Sequence, residues 1–268
     1  MGWSLLKSKG GFAAIAGHFL LALSALALPA LASAQPEVKL AAAADLEPVL
    51  PPILARFAQA TGIHVAATYQ ASAMLTVQME NGAPFDLFLA ANMGYPERLA
   101  RAGLAATAAP VPYALGTLVL WTRKDAHLPH PSLGLLRNPA LRRLAIANPD
   151  RAPYGRAAVT ALTRLKLYEQ LKPRIVMAEN IAQAAQFVGS GNAEAGLISL
   201  TSALTPQLAS SGSYFVMPRN LYSPLVQGAV VLKRSPNRAA AEKLLDYLLS
   251  APVQAELARG GLTPVSRP

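Results

Sequence analysis

The sequence predicts an α/β protein of two lobes, for three reasons. Short apolar runs alternate with segments of helical periodicity, a pattern typical of a mainly parallel sheet flanked by helices. No internal repeat or long linker interrupts that alternation after residue 34. Two apolar strands, 113–121 and 226–232, are interpreted as the passages of the chain from one lobe to the other and back. We therefore expect a hinged clamp whose cleft lies between the lobes, where ligand sites are common.

The first lobe is predicted to alternate strands with helices. Its elements are strand 38–43, a helix around 53–57, strand 64–69, helix 74–80, strand 85–90 and a helix over about 96–102. Ser72 is interpreted as the N-cap of the second helix, because a serine side chain accepts hydrogen bonds from first-turn amides. Asn81 and Gly82 are expected to end that helix.

The second lobe follows the same alternation. Its predicted elements are strand 143–147, helix 157–171, helix 181–188 and strand 195–199, and the chain closes with helices over about 236–249 and 252–258. These elements predict that residues 35–115 and 225–268 form the first lobe and that residues 116–224 form the second.

Residues 1–34 are predicted to be a signal peptide. Lys7 and Lys9 make the start positive, residues 12–31 are almost wholly apolar, and Ala32-Ser33-Ala34 ends the run as a small-x-small cleavage site. An uncleaved membrane anchor is the alternative, since about 20 apolar residues can span a bilayer. The alanine-rich run and Pro29 favour cleavage after Ala34, which leaves a secreted chain of 234 residues.

Composition argues against several classes of function. The chain has no cysteine, so it can form neither disulfides nor a lipid-anchored N-terminal cysteine. Loss of the two signal-peptide lysines lowers the formal net charge from +10 to +8, but the basic residues are scattered and are not interleaved with aromatic ones, so no nucleic acid is expected as a partner. His127 and His130 lack a third ligand nearby, and no nucleotide or nucleophile motif occurs; no metal site, cofactor or catalytic group is therefore predicted.

Four predicted helix starts that follow strand ends are the candidate binding groups. They lie at Ala44 with Asp45, at Ser72, at 152–155 and at Asn180 with Ile181. A helix N-terminus presents unpaired N–H groups and the positive end of the helix dipole, so it can hold an anion without a lysine. Ser72 adds a hydroxyl, and Gln183 is expected to complete a capping box with Asn180. A single capped helix is ordinary, so an anion site requires that the four starts converge.

Six segments, in order along the chain, stand out together: AAAADL at 41–46, NGAPFDLF at 81–88, YALGTLVLW at 113–121, IANP at 146–149, APYG at 152–155 and ENIAQA at 179–184. In these segments the chain resembles the periplasmic molybdate-binding proteins of ABC importers. The resemblance spans about 38–262. It implies the α/β fold of a two-lobed type II periplasmic binding protein, in which each lobe is a mainly parallel sheet flanked by helices and two crossover strands form the hinge.

The resemblance also implies a ligand, a site and partners. The ligand is expected to be molybdate or tungstate, bound as the oxyanion and not as a coordinated metal cation. By position, the family's contacts fall at Ala44 or Asp45, at Ser72, at the Tyr154 amide and at the Ile181 amide. The membrane permease of an ABC importer is the expected partner of this chain, which should be a periplasmic monomer with no enzymatic activity.

The sequence departs from that family around the expected site. Ala44 stands where relatives usually have a serine or threonine, and Asp45 would repel a dianion unless it turned away as an N-cap. Ala71 and Ala73 flank Ser72 where relatives often have glycines and a second serine. These differences leave open a binding protein for another anion, such as sulfate, vanadate or a small carboxylate. A secreted enzyme on the same fold and a structural surface protein are further alternatives.

Overall fold

The computed structural model describes residues 37–107 and 109–265, which form two five-stranded sheets with helices packed on them. The predicted signal peptide, 1–34, lies outside the described residues. Within the described ranges, no helix is both long and apolar enough to cross a membrane.

The strands and helices alternate along the chain as an α/β protein requires. The strands are β1 (Glu37–Ala43), β2 (His64–Gln70), β3 (Leu87–Ala90), β4 (Val111–Gly116), β5 (Leu118–Arg123), β6 (Leu144–Ala147), β7 (Ile175–Ala178), β8 (Ala195–Ser199), β9 (Gly212–Val216) and β10 (Leu225–Val231). The α-helices are α1 (Leu50–Thr61), α2 (Ser72–Glu80), α3 (Gly94–Arg101), α4 (Pro153–Arg164), α5 (Tyr168–Leu171), α6 (Ile181–Gly189), α7 (Leu200–Ala203), α8 (Pro206–Ser211), α9 (Arg238–Leu248) and α10 (Ala251–Arg259). Short 3-10 turns occupy Ala44–Leu46, Lys124–Ala126, Leu133–Arg137, Lys172–Arg174 and Arg219–Leu221.

Both sheets are mixed but mainly parallel, as predicted. The first has the order β2-β1-β3-β10-β4, with β1 parallel to β2 and β3, and β10 antiparallel to β3 and β4. The second has the order β7-β6-β8-β5-β9, with β5 as the reversed strand. Four of the five strands in each sheet therefore run in one direction. The two lobes share one topology, which defines the two-lobed type II fold.

The central strands are apolar because helices cover both faces of each sheet. Every residue of β3, β6 and β8 is buried, and these strands show continuous apolar runs instead of the alternation of a half-exposed strand. Leu40, Phe57 and Leu244 belong to the core of the first lobe, whereas Leu120 and Leu162 belong to that of the second. These cores fix the strand ends from which the site residues project.

The chain changes sheet at two places. β4 ends at Gly116 and β5 begins at Leu118, so the single predicted strand 113–121 is two strands joined at Thr117. The return segment is 217–224, and the predicted strand 226–232 corresponds to β10, which lies wholly in the first sheet. The predicted positions of the two crossings were therefore correct, but neither crossing is a single continuous strand. The sequence cannot show this, because an apolar pattern is the same on either side of a change of sheet.

Two further predictions need correction. The predicted helix 157–171 is two helices, since Lys166 adopts φ 57°, a left-handed conformation that ends α4 before α5 begins. The strands β7 and β9 escape sequence prediction because both are short and partly exposed. β9 forms an edge of the second sheet, and β7 forms the other.

Candidate functional site

The four predicted helix starts converge on one cavity between the two lobes. Its lining consists of Ala43, Ala44, Asp45, Gln70, Ala71, Ser72, Ala91, Ala152, Pro153, Tyr154, Asn180 and Ile181. All five predicted site residues are in this set. About 190 Å³ is free of protein atoms, and the centre of a water molecule can occupy only about 10 Å³ of it. This cavity is small, so only a compact ligand fits it.

The topology explains the convergence. The chain leaves β1 at Ala44, β2 shortly before Ser72, β6 before Pro153 and β7 before Ile181. These strands form two parallel pairs, β1 with β2 in the first sheet and β6 with β7 in the second, and each site residue follows the carboxyl end of its strand. In open α/β sheets the carboxyl ends of parallel strands are where ligand sites form.

Three helices point amide groups at the cavity. Ser72 is the first residue of α2, Tyr154 the second of α4 and Ile181 the first of α6. The first four N–H groups of an α-helix have no acceptor within the helix. The lining contains no lysine, arginine or histidine among the described residues. Any anion in the cavity would therefore be held by neutral donors and helix dipoles.

Ser72 does not cap its helix, contrary to the sequence prediction. The N-cap of α2 is Ala71, without a side-chain hydrogen bond, and Ser72 already has helical geometry. Its Oγ instead accepts a hydrogen bond of 3.1 Å from the amide of Ala91, just beyond β3. Ser72 is 1% exposed. Because Oγ accepts from Ala91, the hydroxyl proton remains to be donated into the cavity.

The amide and the hydroxyl of Tyr154 lie in different places. Its amide belongs to the first turn of α4 at the cavity, whereas its hydroxyl donates a 3.1 Å hydrogen bond to Asp45 Oδ2. The hydroxyl occupies the space where Gly116 lacks a side chain, since a Cβ there would lie 2.3 Å from it. Burial, followed by the negative charge of Asp45, raises the pKa of Tyr154 well above its ordinary value. The phenol therefore stays protonated as a donor.

Asp45 turns into the interface between the lobes and is fully buried. Its Oδ2 accepts hydrogen bonds from the Tyr154 hydroxyl and from Nε2 of Gln227 on β10, and its main-chain carbonyl accepts a 2.7 Å bond from Thr201 Oγ1. Desolvation by burial raises the pKa of Asp45 from 3.8 to about 6, against the lowering effect of the bonds from Gln227 and Tyr154. Asp45 does not turn away as an N-cap, because it lies inside its short turn and makes no cap hydrogen bond.

Asn180 caps α6 as predicted. Its Oδ1 accepts a 2.9 Å hydrogen bond from the Gln183 amide. Gln183 Oε1 accepts in return, but from the Glu179 amide at 2.7 Å and not from that of Asn180. The reciprocal pair is therefore a capping box displaced by one residue. It holds the first turn of α6, and with it the Ile181 amide, against the cavity.

Contacts between the lobes also form at the rim of the cleft. The Ala73 amide on α2 donates a 3.2 Å hydrogen bond to the Arg151 carbonyl. Arg156 on α4 donates a 2.8 Å bond to the Tyr95 hydroxyl on α3, and its guanidinium carbon lies 5.4 Å from the centroid of the Tyr95 ring. The two lobes are thus hydrogen-bonded to each other across the cleft, which is a closed arrangement.

The sequence reasoning missed three residues that position the site. Gln227 is the single polar side chain in an apolar strand, a signal of a buried partner. Thr201 follows β8 and gives no signal of its own. Gly116 stands within an apolar stretch, where a glycine often marks the close approach of another group.

Two equal α/β lobes that close on a small, donor-lined cavity define a solute-binding protein. Residues 38–263 match the family of bacterial extracellular solute-binding proteins, and the chain belongs to that family. It is 38% identical over 221 residues to the molybdate-binding protein ModA of Azotobacter vinelandii, covering 82% of this chain and 87% of that one. It is 36% identical over 234 residues to the ModA of Rhodobacter capsulatus, covering 87% and 90%.

A solved structure supports the same placement. The periplasmic molybdate-binding protein of Azotobacter vinelandii superposes with a TM-score of 0.80 at 31% sequence identity, covering 85% of this chain and all of that one. The match extends over both lobes, so the similarity includes the arrangement of the cleft as well as the fold of each sheet.

Proposed function

We propose that this chain is the periplasmic solute-binding component of an ABC importer for molybdate or tungstate. The observation that carries the proposal is the convergence of helix starts from both lobes on one small cavity without a cationic side chain. The relatives that bear the name of molybdate-binding proteins match almost the whole described chain. The contacts to the oxyanion are assigned to the Ser72 hydroxyl and to the amides of Ala44 or Asp45, Ser72, Tyr154 and Ile181.

Neutral donors suit the delivery of a dianion. Helix N-termini offset the charge of a desolvated oxyanion, and they do so without a salt bridge that would slow release. Closure of the lobes excludes water, which strengthens each hydrogen bond in the lowered dielectric. Selectivity then depends on cavity size and on the number of donors that meet each oxygen.

A cavity lined by hydrogen-bond donors also distinguishes protonated from deprotonated oxyanions. Hydrogen phosphate carries an O–H group that needs an acceptor, and a buried donor without one costs about 1–3 kcal/mol. The one carboxyl group in the lining is that of Asp45, whose Oδ2 is occupied by Gln227 and Tyr154 and whose Oδ1 has no partner among the described residues. Fully deprotonated tetrahedral dianions are therefore favoured when Oδ1 is not available to the ligand as an acceptor.

The remaining features of the proposal concern the chain in the cell. Residues 1–34 act as a signal peptide cleaved after Ala34, the mature protein is a monomer without catalytic activity, and its partner is the membrane permease of the importer. The first lobe comprises 35–115 with 225–268, and the second comprises 116–224. The change of sheet at Thr117 and the return segment 217–224 support a hinge at these two crossings.

A second candidate is a binding protein for another small anion, such as sulfate, vanadate or a small carboxylate. Ala71 and Ala73 on either side of Ser72 favour it, because they replace glycines that would allow the backbone closer to a ligand. Ala44 favours it too, since it supplies no hydroxyl.

Thermal unfolding of the mature protein with equal concentrations of molybdate, tungstate, sulfate, phosphate and vanadate tests both candidates. A ligand that binds only the folded state raises the melting temperature by mass action. At a free ligand concentration of 100 times Kd, the free energy of unfolding increases by about 2.7 kcal/mol. Shifts with molybdate and tungstate but not with sulfate or phosphate are expected. A shift only with another anion would assign the second candidate, and no shift with any of the five would overturn the first candidate and restrict the second to a small carboxylate.

A further inference from the structure

Asp45 combines features that do not suit a permanently charged carboxylate. The side chain is fully buried, it forms no ion pair, and it lines the cavity assigned to a dianion. Its Oδ2 accepts from two donors, while its Oδ1 has no hydrogen-bond partner among the described residues. A buried charge without a counter-ion is expensive, and a second anion beside it increases the cost.

Gln227, which donates to Asp45, also has a buried oxygen without a hydrogen-bond donor among the described residues. Its Nε2 donates to Asp45 Oδ2, and its own Oε1 is buried without a partner in the described part of the chain. A carboxylic acid and a primary amide can pair through two hydrogen bonds, N–H to carbonyl oxygen and O–H to amide oxygen. Protonation of Asp45 at Oδ1 would supply the one donor that this pair lacks.

The groups facing Asp45 offer no other compensation. Tyr154 on α4 and Tyr113 on β4 are neutral phenols whose pKa values are raised by burial and then by the charge of Asp45. Tyr69 on β2 also has a raised pKa, to about 12, through burial and then Glu47. The neighbouring helices α6 and α7 contain no ionisable side chain. Glu47 is exposed and adds negative charge, so none of the described residues supplies a cation that balances Asp45.

We propose that Asp45 takes up a proton when the oxyanion binds, and that the protonated carboxyl, paired with Gln227, is the binding-competent form of the site. This inference rests on the proposed function, because the cavity must receive a dianion. The proton comes from solvent and binds one carboxylate oxygen, so the complex gains one positive charge with each anion. Asp45 thereby acts as a positioning residue that removes its own repulsion and fixes the Tyr154 hydroxyl.

The proposal predicts a proton-linked affinity. Since the proton binds with the anion, Kd for molybdate should rise with pH by up to tenfold per pH unit, and by about tenfold or more between about pH 6.5 and about pH 8.5. Calorimetric titration with molybdate in buffers of different ionisation enthalpy measures the protons taken up. We expect between about 0.5 and 1 proton per anion near pH 7.

Asp45→Asn is the decisive variant, because its amide can donate to Gln227 Oε1 as the protonated acid would. Its Kd should change less than about twofold over the same pH range, its proton uptake should be close to zero, and at the highest pH it should bind molybdate more tightly than the parent. Asp86→Asn is the matched control. Asp86 is a buried carboxyl immediately before β3, and it accepts hydrogen bonds from the Lys39 amide and the Ser235 hydroxyl. Because Asp86 does not line the cavity, this variant should keep the parent's pH dependence.

The outcomes separate this inference from the proposed function. Molybdate binding with no proton uptake, or with equal pH dependence in the parent and in Asp45→Asn, overturns the inference and leaves the function standing. Absence of molybdate binding in the parent overturns both. Melting curves of each variant without ligand verify that it is folded, and loss of folding in Asp45→Asn would itself contradict an amide that mimics the protonated acid.

Discussion

Removal of the Ser72 hydroxyl separates its contribution to binding from its contribution to stability. In Ser72→Ala, the anion loses a donor that belongs to a residue only 1% exposed and whose oxygen is already fixed by the Ala91 amide. A hydrogen bond to a charged group contributes about 1.5–3 kcal/mol. Because 1.4 kcal/mol corresponds to a factor of ten, Kd for molybdate should rise by about tenfold to about 150-fold.

The same substitution should also lower the stability of the ligand-free protein. The Ala91 amide loses its acceptor in the free and in the bound state alike, so this loss does not alter Kd. A buried donor left without a partner costs about 1–3 kcal/mol. The free energy of unfolding, measured by denaturant titration without ligand, should fall by that amount, while calorimetric titration with molybdate gives the separate change in Kd.

Thr76→Val provides the matched control on the same helix. Thr76 is fully buried one turn after Ser72, its hydroxyl donates a 2.8 Å bond to the Ser72 carbonyl, and it does not line the cavity. Its removal should alter stability but change Kd by less than about twofold. A Kd for Ser72→Ala within twofold of the parent would refute a donating role for the hydroxyl and leave Ser72 with only a structural one.

Three further predictions follow from the contacts around Asp45 and at the rim. Gly116→Ala places a Cβ 2.3 Å from the Tyr154 hydroxyl. Overpacking of this kind costs about 1–3 kcal/mol, so the melting temperature should fall by several degrees. An unchanged melting temperature would contradict this packing. Arg156→Ala removes both the hydrogen bond to the Tyr95 hydroxyl and the cation–π contact with its ring, the latter worth about 0.5–1 kcal/mol, so stopped-flow release of molybdate should become at least about twofold to fivefold faster. Tyr95→Phe loses the hydrogen bond but keeps the ring contact, so its effect should be smaller. Because the folded-state pKa of Asp45 is raised from 3.8 to about 6, the folded state binds more protons than the unfolded state in that interval, and its stability falls as pH rises through it. Denaturant titrations should show this loss, about 3 kcal/mol, in the parent and not in Asp45→Asn.

The positions of the helix starts could be predicted from sequence because their signals are local. Pro153 at the first turn of α4 and Asn180 before α6 act within three or four residues, and both perform as the sequence indicates. Convergence could not be predicted in the same way. It depends on which strands are parallel neighbours, and the order of strands in a sheet is set by contacts between residues far apart in the chain.

The directions of the side chains were the least predictable feature. Ser72 and Asp45 both have residue types that commonly cap helices, yet neither does so here. Their acceptors and donors come from Ala91, Gln227 and Tyr154, which are 19 to 182 residues away along the chain. A local rule can place such a residue at a helix start, but only the packing of the lobes decides which group its side chain meets.

The proposed donors come from both lobes, which gives the proposed site a means of release. Ala44 and Ser72 belong to the first lobe, whereas Tyr154 and Ile181 belong to the second, so separation of the lobes removes about half of the donors in one step. Asp45 reinforces this coupling, because its carboxyl and carbonyl bind Tyr154 and Thr201 across the same interface. The closed state that completes the anion site is therefore also the state that pairs this buried carboxyl. Separation of the lobes would break the pairing of Asp45 and the anion site together, which makes opening and release of the anion one event.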